Sequence, residues 1–188
     1  CESSRVPVIA TVSAPPALSI TGNDTICIGS STTLSVGNGL VDYSQFVWSP
    51  ATGLDNTTSS AVIATPTVTT KYYLGAGGNV NSCQNLDSIT VVVIDVPINL
   101  TVDNPLICGN GTAQLNAGLA GGGPYEYAWS PATGLSSSTI INPTVQLSSP
   151  SQTYSVLVTD MPSGCTKSAS ITIYKSDPQL SASAGDTR

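Results

Sequence analysis

Trp48–Leu54 reads WSPATGL, and the same seven letters return at Trp129–Leu135, 81 positions later. The cysteines Cys27 and Cys108, each upstream of one of these segments, are separated by the same 81 positions. A fixed period of this size indicates a tandem array of one module of roughly 80 residues. The repeat therefore decides how the rest of the chain is interpreted.

Two full copies fit in the 188 residues, and we predict them at residues 14–96 and 97–178. The pattern continues outside them: residues 1–13 match the last strand of a preceding copy, and residues 179–188 match the opening strand of a following copy. A strand at residues 1–12 would leave an unpaired sheet edge, which predicts pairing with another chain and self-assembly into a fibre.

Short apolar runs that alternate with polar residues and end at Gly, Asn or Pro turns fill both copies, with no helical period between them. The predicted strands of the first copy are Thr33–Val36, Phe46–Trp48, Ala61–Ala64 and Ile89–Ile94. Those of the second copy are Ala113–Leu115, Tyr125–Trp129, Thr144–Leu147, Tyr154–Val158 and Ser170–Tyr174. The pattern predicts an all-β fold of tandem immunoglobulin-like β-sandwich domains.

The charge of the chain excludes some partners. Charged residues make up 9% of the sequence and the net charge is -6, with no basic stripe, so nucleic acid is not an expected partner. No apolar window reaches the roughly 18–20 residues of a membrane-spanning helix. We expect no membrane span.

The residues that usually carry catalysis are missing from the sequence. The chain has no histidine, no GxSxG segment and no P-loop, and its only glutamates are Glu2 and Glu126. The aspartates are scattered at turns, where solvated side chains are expected. We predict no enzyme activity and no cofactor; a calcium ion near Asp95–Asp103 is an expectation that no sequence motif supports.

Four aromatic residues are predicted to serve the fold. Trp48 and Trp129 end the third strand of each copy, where one indole ring can fill the space between two sheets about 10 Å apart. Tyr72 and Tyr154 lie near the start of the sixth strand, where a sandwich tyrosine caps backbone with its hydroxyl. These four residues are expected in the two cores.

The cysteines allow two regular disulfide pairings. Bonds within each copy would join Cys27 to Cys83 and Cys108 to Cys165, but these positions are expected at opposite ends of a strand about 20 Å long. A bond between copies would join Cys27 to Cys165 and leave Cys83 and Cys108 for neighbouring copies. Cys1 would belong to the preceding domain under either pairing, and the sequence does not choose between them.

Each copy combines Ile-Cys before a glycine turn, WSPATGL, a strand with TKYYL or QTYSVL, and a cysteine ahead of the last strand. This set resembles the Ig-like and PKD-like repeats of Bacteroidota cell-surface proteins of the adhesin and gliding-motility type, which leave the cell by type IX secretion. The resemblance implies an extracellular, cell-surface location. It also implies O-glycosylation at Thr25 and Ser88, which follow aspartates; local turn hydrogen bonds explain the same pairs.

We therefore expect a non-catalytic structural and adhesive repeat segment of a large extracellular surface protein or filament. Its expected partners are neighbouring repeats of the same protein and a surface glycan or protein. The alternative is a carbohydrate-binding or spacer module of a secreted hydrolase, which requires an exposed row of aromatic rings. Only a few tyrosines could form such a row, and we predict that they do not. These tyrosines are Tyr43, Tyr73, Tyr125, Tyr127 and Tyr174.

Overall fold

A computed structural model describes residues 17–37, 43–78, 84–119 and 123–176 of the chain. The chain divides into two compact units, Cys1–Val93 and Ile94–Arg188. The sequence-based boundary between the copies, at residues 96 and 97, lies three residues further along. The partial copies predicted at residues 1–13 and 179–188, including the strand expected to pair with another chain, lie outside the described residues.

The first unit is a sandwich of two sheets. Its strands are β1 (Ile20–Thr21), β2 (Thr25–Cys27), β3 (Thr32–Val36), β4 (Gln45–Ser49), β5 (Ala61–Ala64), β6 (Thr70–Gly77) and β7 (Gln84–Ile94). One sheet has the order β1-β3-β5 and the other the order β2-β7-β6-β4.

The second unit repeats this architecture strand for strand. Its strands are β8 (Thr101–Val102), β9 (Leu106–Cys108), β10 (Ala113–Asn116), β11 (Tyr125–Ser130), β12 (Thr144–Val145), β13 (Ser151–Asp160) and β14 (Thr166–Ser176). The three-stranded sheet has the order β12-β10-β8 and the four-stranded sheet the order β11-β13-β14-β9. Every helix or strand in the described residues is a β-strand, so the predicted fold of tandem immunoglobulin-like sandwiches is confirmed.

Each unit has its own core, filled by the inward residues of alternating strands. Strand β3 shows the pattern: Leu34 and Val36 are buried while Thr33 is exposed. In the first unit the core joins side chains from both sheets, among them Val62 of β5 and Leu74 of β6. The outward residues are therefore free to differ between copies without disturbing the packing.

The structure extends several predicted strands and adds short ones. Strand β7 begins at Gln84, five residues before the predicted start, and β14 begins at Thr166. Strand β12 is shorter than predicted and ends at Val145. The two- and three-residue strands β1, β2, β8 and β9 were not predicted, because so short a segment shows no period.

The four described ranges contain no helix long and apolar enough to cross a membrane.

Candidate functional site

The repeated WSPATGL segment forms a corner after β4 and after β11. The Ser49–Pro50 and Ser130–Pro131 peptide bonds are both cis. The turn that follows is closed by a backbone hydrogen bond from Leu54 N–H to the carbonyl oxygen of Ala51, 3.1 Å long, and the equivalent bond of the second copy has the same length. The same seven residues thus build the same turn in both copies.

The glycine of this corner needs a backbone without a side chain. Gly53 has a φ of +76° and Gly134 a φ of +80°, in the left-handed region that other residues rarely adopt. A Cβ atom at Gly53 would lie 3.0 Å from the Tyr72 hydroxyl, and one at Gly134 would overlap the carbonyl oxygen of Gln146. Conformation and space therefore both require glycine here.

A buried tyrosine in each copy holds this corner against the sandwich. The Tyr72 hydroxyl donates to the carbonyl oxygen of Thr52 at 2.9 Å, and the Tyr154 hydroxyl donates to that of Thr133 at 2.8 Å. Burial raises the pKa of both hydroxyls, against a smaller lowering of the Tyr72 pKa by a hydrogen bond with Thr70. Both groups therefore stay protonated donors at neutral pH.

The tryptophans complete the same arrangement. Trp48 and Trp129 are 2% and 4% exposed. Their indole N–H groups donate to the carbonyl oxygens of Ser59, at 2.9 Å, and Ile140, at 2.8 Å. A buried indole needs such an acceptor. In both copies the tryptophan indole and the threonine carbonyl of the repeated segment are thus occupied with the fold.

The three cysteines in the described residues differ in their disulfide bonding. Cys27 and Cys165 are both disulfide-bonded, whereas Cys108 is free and exposed. Cys165 is only 2% exposed. Cys1 and Cys83 lie outside the described residues. In the structure, Cys108 and Cys165 are therefore not bonded to each other.

The geometry of β14 explains why that bond cannot form. Cys108 pairs in register with Ser176, the last residue of β14, while Cys165 directly precedes Thr166, its first residue. Strand β14 has 11 residues, which at about 3.3 Å per residue separates its ends by roughly 33 Å. A disulfide needs Cα atoms about 4.4–6.8 Å apart.

The carboxylates are used by nearby turns and strands. Asp103 accepts the N–H groups of Asn104 and Gln114, each at 2.7 Å, and Asp55 accepts the N–H of Ile63 at 2.7 Å. Asp95 forms an exposed salt bridge with Lys167 at 2.8 Å. In the described part of the chain, no three His, Cys, Asp or Glu residues lie together as a metal site would require, including near Asp95 and Asp103.

The two predicted glycosylation residues follow aspartates that they contact. The Thr25 hydroxyl donates to Asp24 at 3.1 Å, and the Ser88 backbone N–H donates to Asp87 at 2.7 Å. Both residues are partly exposed. These contacts are the local hydrogen bonds expected after an aspartate, and O-glycosylation at the two positions stays a prediction.

An apolar groove lies on the outer face of the four-stranded sheet of the first copy. Three large side chains are exposed here: Val47 of β4 (62%), Tyr73 of β6 (51%) and Leu86 of β7 (79%). Gly75 lies between them in register, opposite Val47 on one side and Leu86 on the other. The space they enclose with their neighbours is about 320 Å³. The groove exists because the central position has no side chain. Its complete lining is Gln45, Val47, Ser49, Tyr73, Gly75, Gly77 and Leu86.

The ammonium group of Lys71 lies beside this groove. The Lys71 ammonium is 5.3 Å from the centre of the Tyr73 ring, within the range of a cation–π contact. Of the tyrosines considered for an aromatic row, Tyr43 is buried, Tyr125 and Tyr127 are half-buried, and Tyr73 and Tyr174 are exposed but belong to different copies. The groove therefore offers one ring rather than a row.

At the equivalent place in the second copy, a large side chain occupies the central position. Where the first copy has Gly75, the second has Leu157, which is 44% exposed and pairs with Ala128 and Ser168. The equivalent of Tyr73 is Ser155. The sequence motifs did not indicate the groove, but a comparison of the two copies contains a signal for it. Val47 and Tyr73 of the first copy are replaced by Ala128 and Ser155 in the second.

The sequence matches no described protein family and no curated protein. Among solved structures, the C-terminal 282-residue fragment of intimin, in complex with the Tir intimin-binding domain, is 15% identical with a TM-score of 0.50, over 85% of this chain and 64% of that one. Extracellular domains 3–5 of Drosophila OTK are 8% identical (TM-score 0.45; 85% and 62% covered), and murine CEACAM1b is 13% identical (0.41; 86% and 100%). This chain thus spans less than two thirds of the intimin fragment. At such identities the likeness shows the sandwich fold alone.

Proposed function

We propose that this chain is a non-catalytic, adhesive and structural segment of a large extracellular bacterial surface protein built from repeated sandwich modules. One observation carries the proposal: the identical heptapeptide serves the fold in both copies, while the outer sheet face differs between them. Repetition therefore preserves the scaffold and leaves the surface free to vary. A binding array requires that combination.

The cysteines support the extracellular location. Cys27 and Cys165 are disulfide-bonded, and structural disulfides persist in oxidising compartments outside the cytosol. The resemblance to Bacteroidota surface repeats agrees with this location and suggests type IX secretion as the export route. The parent protein would then place these modules at the cell surface.

The groove of the first copy is the surface we assign to ligand contact, with a protein as the ligand. A cluster of three exposed apolar side chains is unusual on a soluble domain and commonly marks an interaction site. The Lys71 ammonium beside the groove, on a chain of net charge -6, favours a partner segment with an acidic group next to its apolar side chain. A single exposed ring gives a sugar no aromatic platform.

Selection of random displayed peptides on the immobilised 188-residue chain tests this assignment. We expect selected peptides to combine an apolar or aromatic residue with Asp or Glu. Gly75→Leu should weaken their binding at least about tenfold, because the new side chain fills the groove at the position that Leu157 occupies in the second copy. A Cβ at Gly75 meets only Leu86, at 3.5 Å, and a backbone oxygen, at 3.8 Å, so folding should be unchanged.

Two matched controls distinguish peptide binding at the groove from nonspecific binding to exposed apolar residues. Val68→Ser removes another exposed apolar residue of the first copy (69% exposed) and should leave peptide binding intact. Leu157→Gly in the second copy should not create binding, because Ala128 and Ser168 provide no apolar walls. Peptides that bind Gly75→Leu as well as the unaltered chain would refute the groove. Selective capture of glycans by the unaltered chain would instead favour the carbohydrate-binding module.

A further inference from the structure

Cys108 occupies a defined place at the end of the second copy. It is the last residue of β9, beside the last residue of β14, and it is exposed and free. The following turn is closed by a hydrogen bond from Gly111 N–H to the Cys108 carbonyl at 3.1 Å. A Cβ atom at Gly109 would meet nothing within 4 Å. Space beside the thiol is therefore open.

Cys27 has the same place in the first copy and is not free. It is the last residue of β2, which neighbours β7 as β9 neighbours β14. Its turn is closed in the same way, by a hydrogen bond from Ser30 N–H to the Cys27 carbonyl at 2.9 Å. Yet Cys27 is disulfide-bonded. Equivalent cysteines thus differ in their bonding: Cys27 has a disulfide partner and Cys108 has none.

Cys165 must take its partner from outside its own copy. The second unit contains two cysteines, Cys108 and Cys165. Cys108 is free, and β14 holds it roughly 33 Å from Cys165 at 3.3 Å per residue. Cys165 is nevertheless bonded and almost fully buried. Its bond therefore does not serve to close a loop within its own copy.

We propose that consecutive modules are joined by a disulfide from the cysteine that ends the second strand of one copy to the cysteine ahead of the last strand of the next. In this chain the bond joins Cys27 to Cys165, and Cys108 is the attachment point for the corresponding cysteine of another copy. The proposal rests on the repeat array of the proposed function. Forming the bond breaks two S–H bonds and passes two electrons and two protons to an oxidised thiol–disulfide couple.

Peptide mapping of the alkylated, non-reduced chain tests the bond within the molecule. We expect one cross-linked pair containing Cys27 and Cys165, with Cys108 carrying the alkyl group. A pair containing Cys27 and Cys83, or Cys165 bonded to Cys1, would overturn the proposal. Reduced samples serve as the control for peptide assignment.

A second experiment tests Cys108. A donor chain with Cys1→Ser and Cys83→Ser keeps Cys108, and an acceptor chain with Cys108→Ser keeps Cys1 and Cys83. Mixed in a buffer of reduced and oxidised glutathione, they should form a covalent heterodimer that joins Cys108 to Cys83 or Cys1. Donor and acceptor that both carry Cys108→Ser should give none.

Three results would overturn the role of Cys108: glutathione adducts alone, a Cys108-to-Cys108 dimer alone, or no covalent product. None of them would alter peptide binding at the groove, which involves no cysteine. A failure of the inter-copy bond is therefore distinguishable from a failure of the proposed adhesive function.

Discussion

At the scale of single residues, the repeated heptapeptide can be explained contact by contact. Its tryptophan donates a hydrogen bond from within the core, its threonine carbonyl accepts from a buried tyrosine, and its glycine has a positive φ. Each of these roles depends on the others, because the tyrosine hydroxyl lies against the glycine. The tryptophan and the glycine are therefore requirements of one corner rather than signs of a ligand site.

Replacing the corner glycine Gly134 should destabilise the second copy by more than its positive φ alone explains. Gly109 is the reference, because it also has a positive φ but lies in open space. We expect Gly109→Ala, with a φ of +57° and open space around it, to lower the free energy of unfolding of the second copy by about 1 kcal/mol. Gly134→Ala should cost about 1–3 kcal/mol more, because its Cβ would overlap the Gln146 carbonyl. Urea unfolding measures both. Equal losses would show that the close contact does not matter.

Alternation and spacing in the sequence predict Trp48 and Tyr72 at inward positions, and both side chains are buried in the structure. The sequence did not reveal that each indole N–H and each tyrosine hydroxyl has a backbone acceptor more than ten residues away. Which backbone carbonyl accepts each of these hydrogen bonds depends on how the loops pack against the sheets, and one sequence does not show this. The groove was missed for a related reason: it depends on which outward side chains become neighbours across β4, β6 and β7.

At the scale of elements, the loop after β4 protects the edge of its sheet. Strand β4 is an edge strand, but the Trp48 N–H donates to the carbonyl oxygen of Thr57 at 2.8 Å, and Trp129 does the same with Ser138. An occupied donor cannot pair with a strand of another chain. The loop is held by Asn56, whose side-chain oxygen accepts the N–H groups of Thr58 and Ser59 at 2.6 and 3.2 Å.

Removing this side-chain acceptor should loosen the edge. We expect Asn56→Ala to destabilise the first copy by about 1 kcal/mol and to speed hydrogen exchange of the Trp48 amide. Asn56→Ser is the matched control, since Ser137 accepts the N–H of Thr139 at 3.2 Å at the equivalent place. It should restore most of the stability. Unchanged exchange in Asn56→Ala would show that the loop is held by other contacts.

Strand ends were harder to predict than strand centres. Ala61–Ala64 was predicted with its observed limits, because polar residues bound its four apolar residues and a proline follows. Strand β7 starts with Gln84-Asn85-Leu86-Asp87, which has too few apolar residues to show a period. These residues are strand because β6 supplies backbone partners for all of them. Tertiary pairing, which one sequence does not display, decides such ends.

At the scale of the whole molecule, the two cores should respond separately to mutation. Leu34 and Leu115 are equivalent, fully buried residues of the first and second copies, and each change to Ala should cost about 2–5 kcal/mol. We expect Leu34→Ala to speed hydrogen exchange in residues 17–93 only, and Leu115→Ala in residues 94–176 only. Faster exchange across both copies from either change would show one cooperative unit.

The parallel pairing of β9 with β14 has a consequence for tension along the chain. The chain enters β9 at one end of this ladder and leaves β14 at the other, with Leu106 opposite Tyr174 and Cys108 opposite Ser176. Pulling the two ends apart slides one strand along the other, so their hydrogen bonds are strained together instead of opening in succession, as they would in an antiparallel pair. The three paired positions of this ladder therefore resist such a pull together.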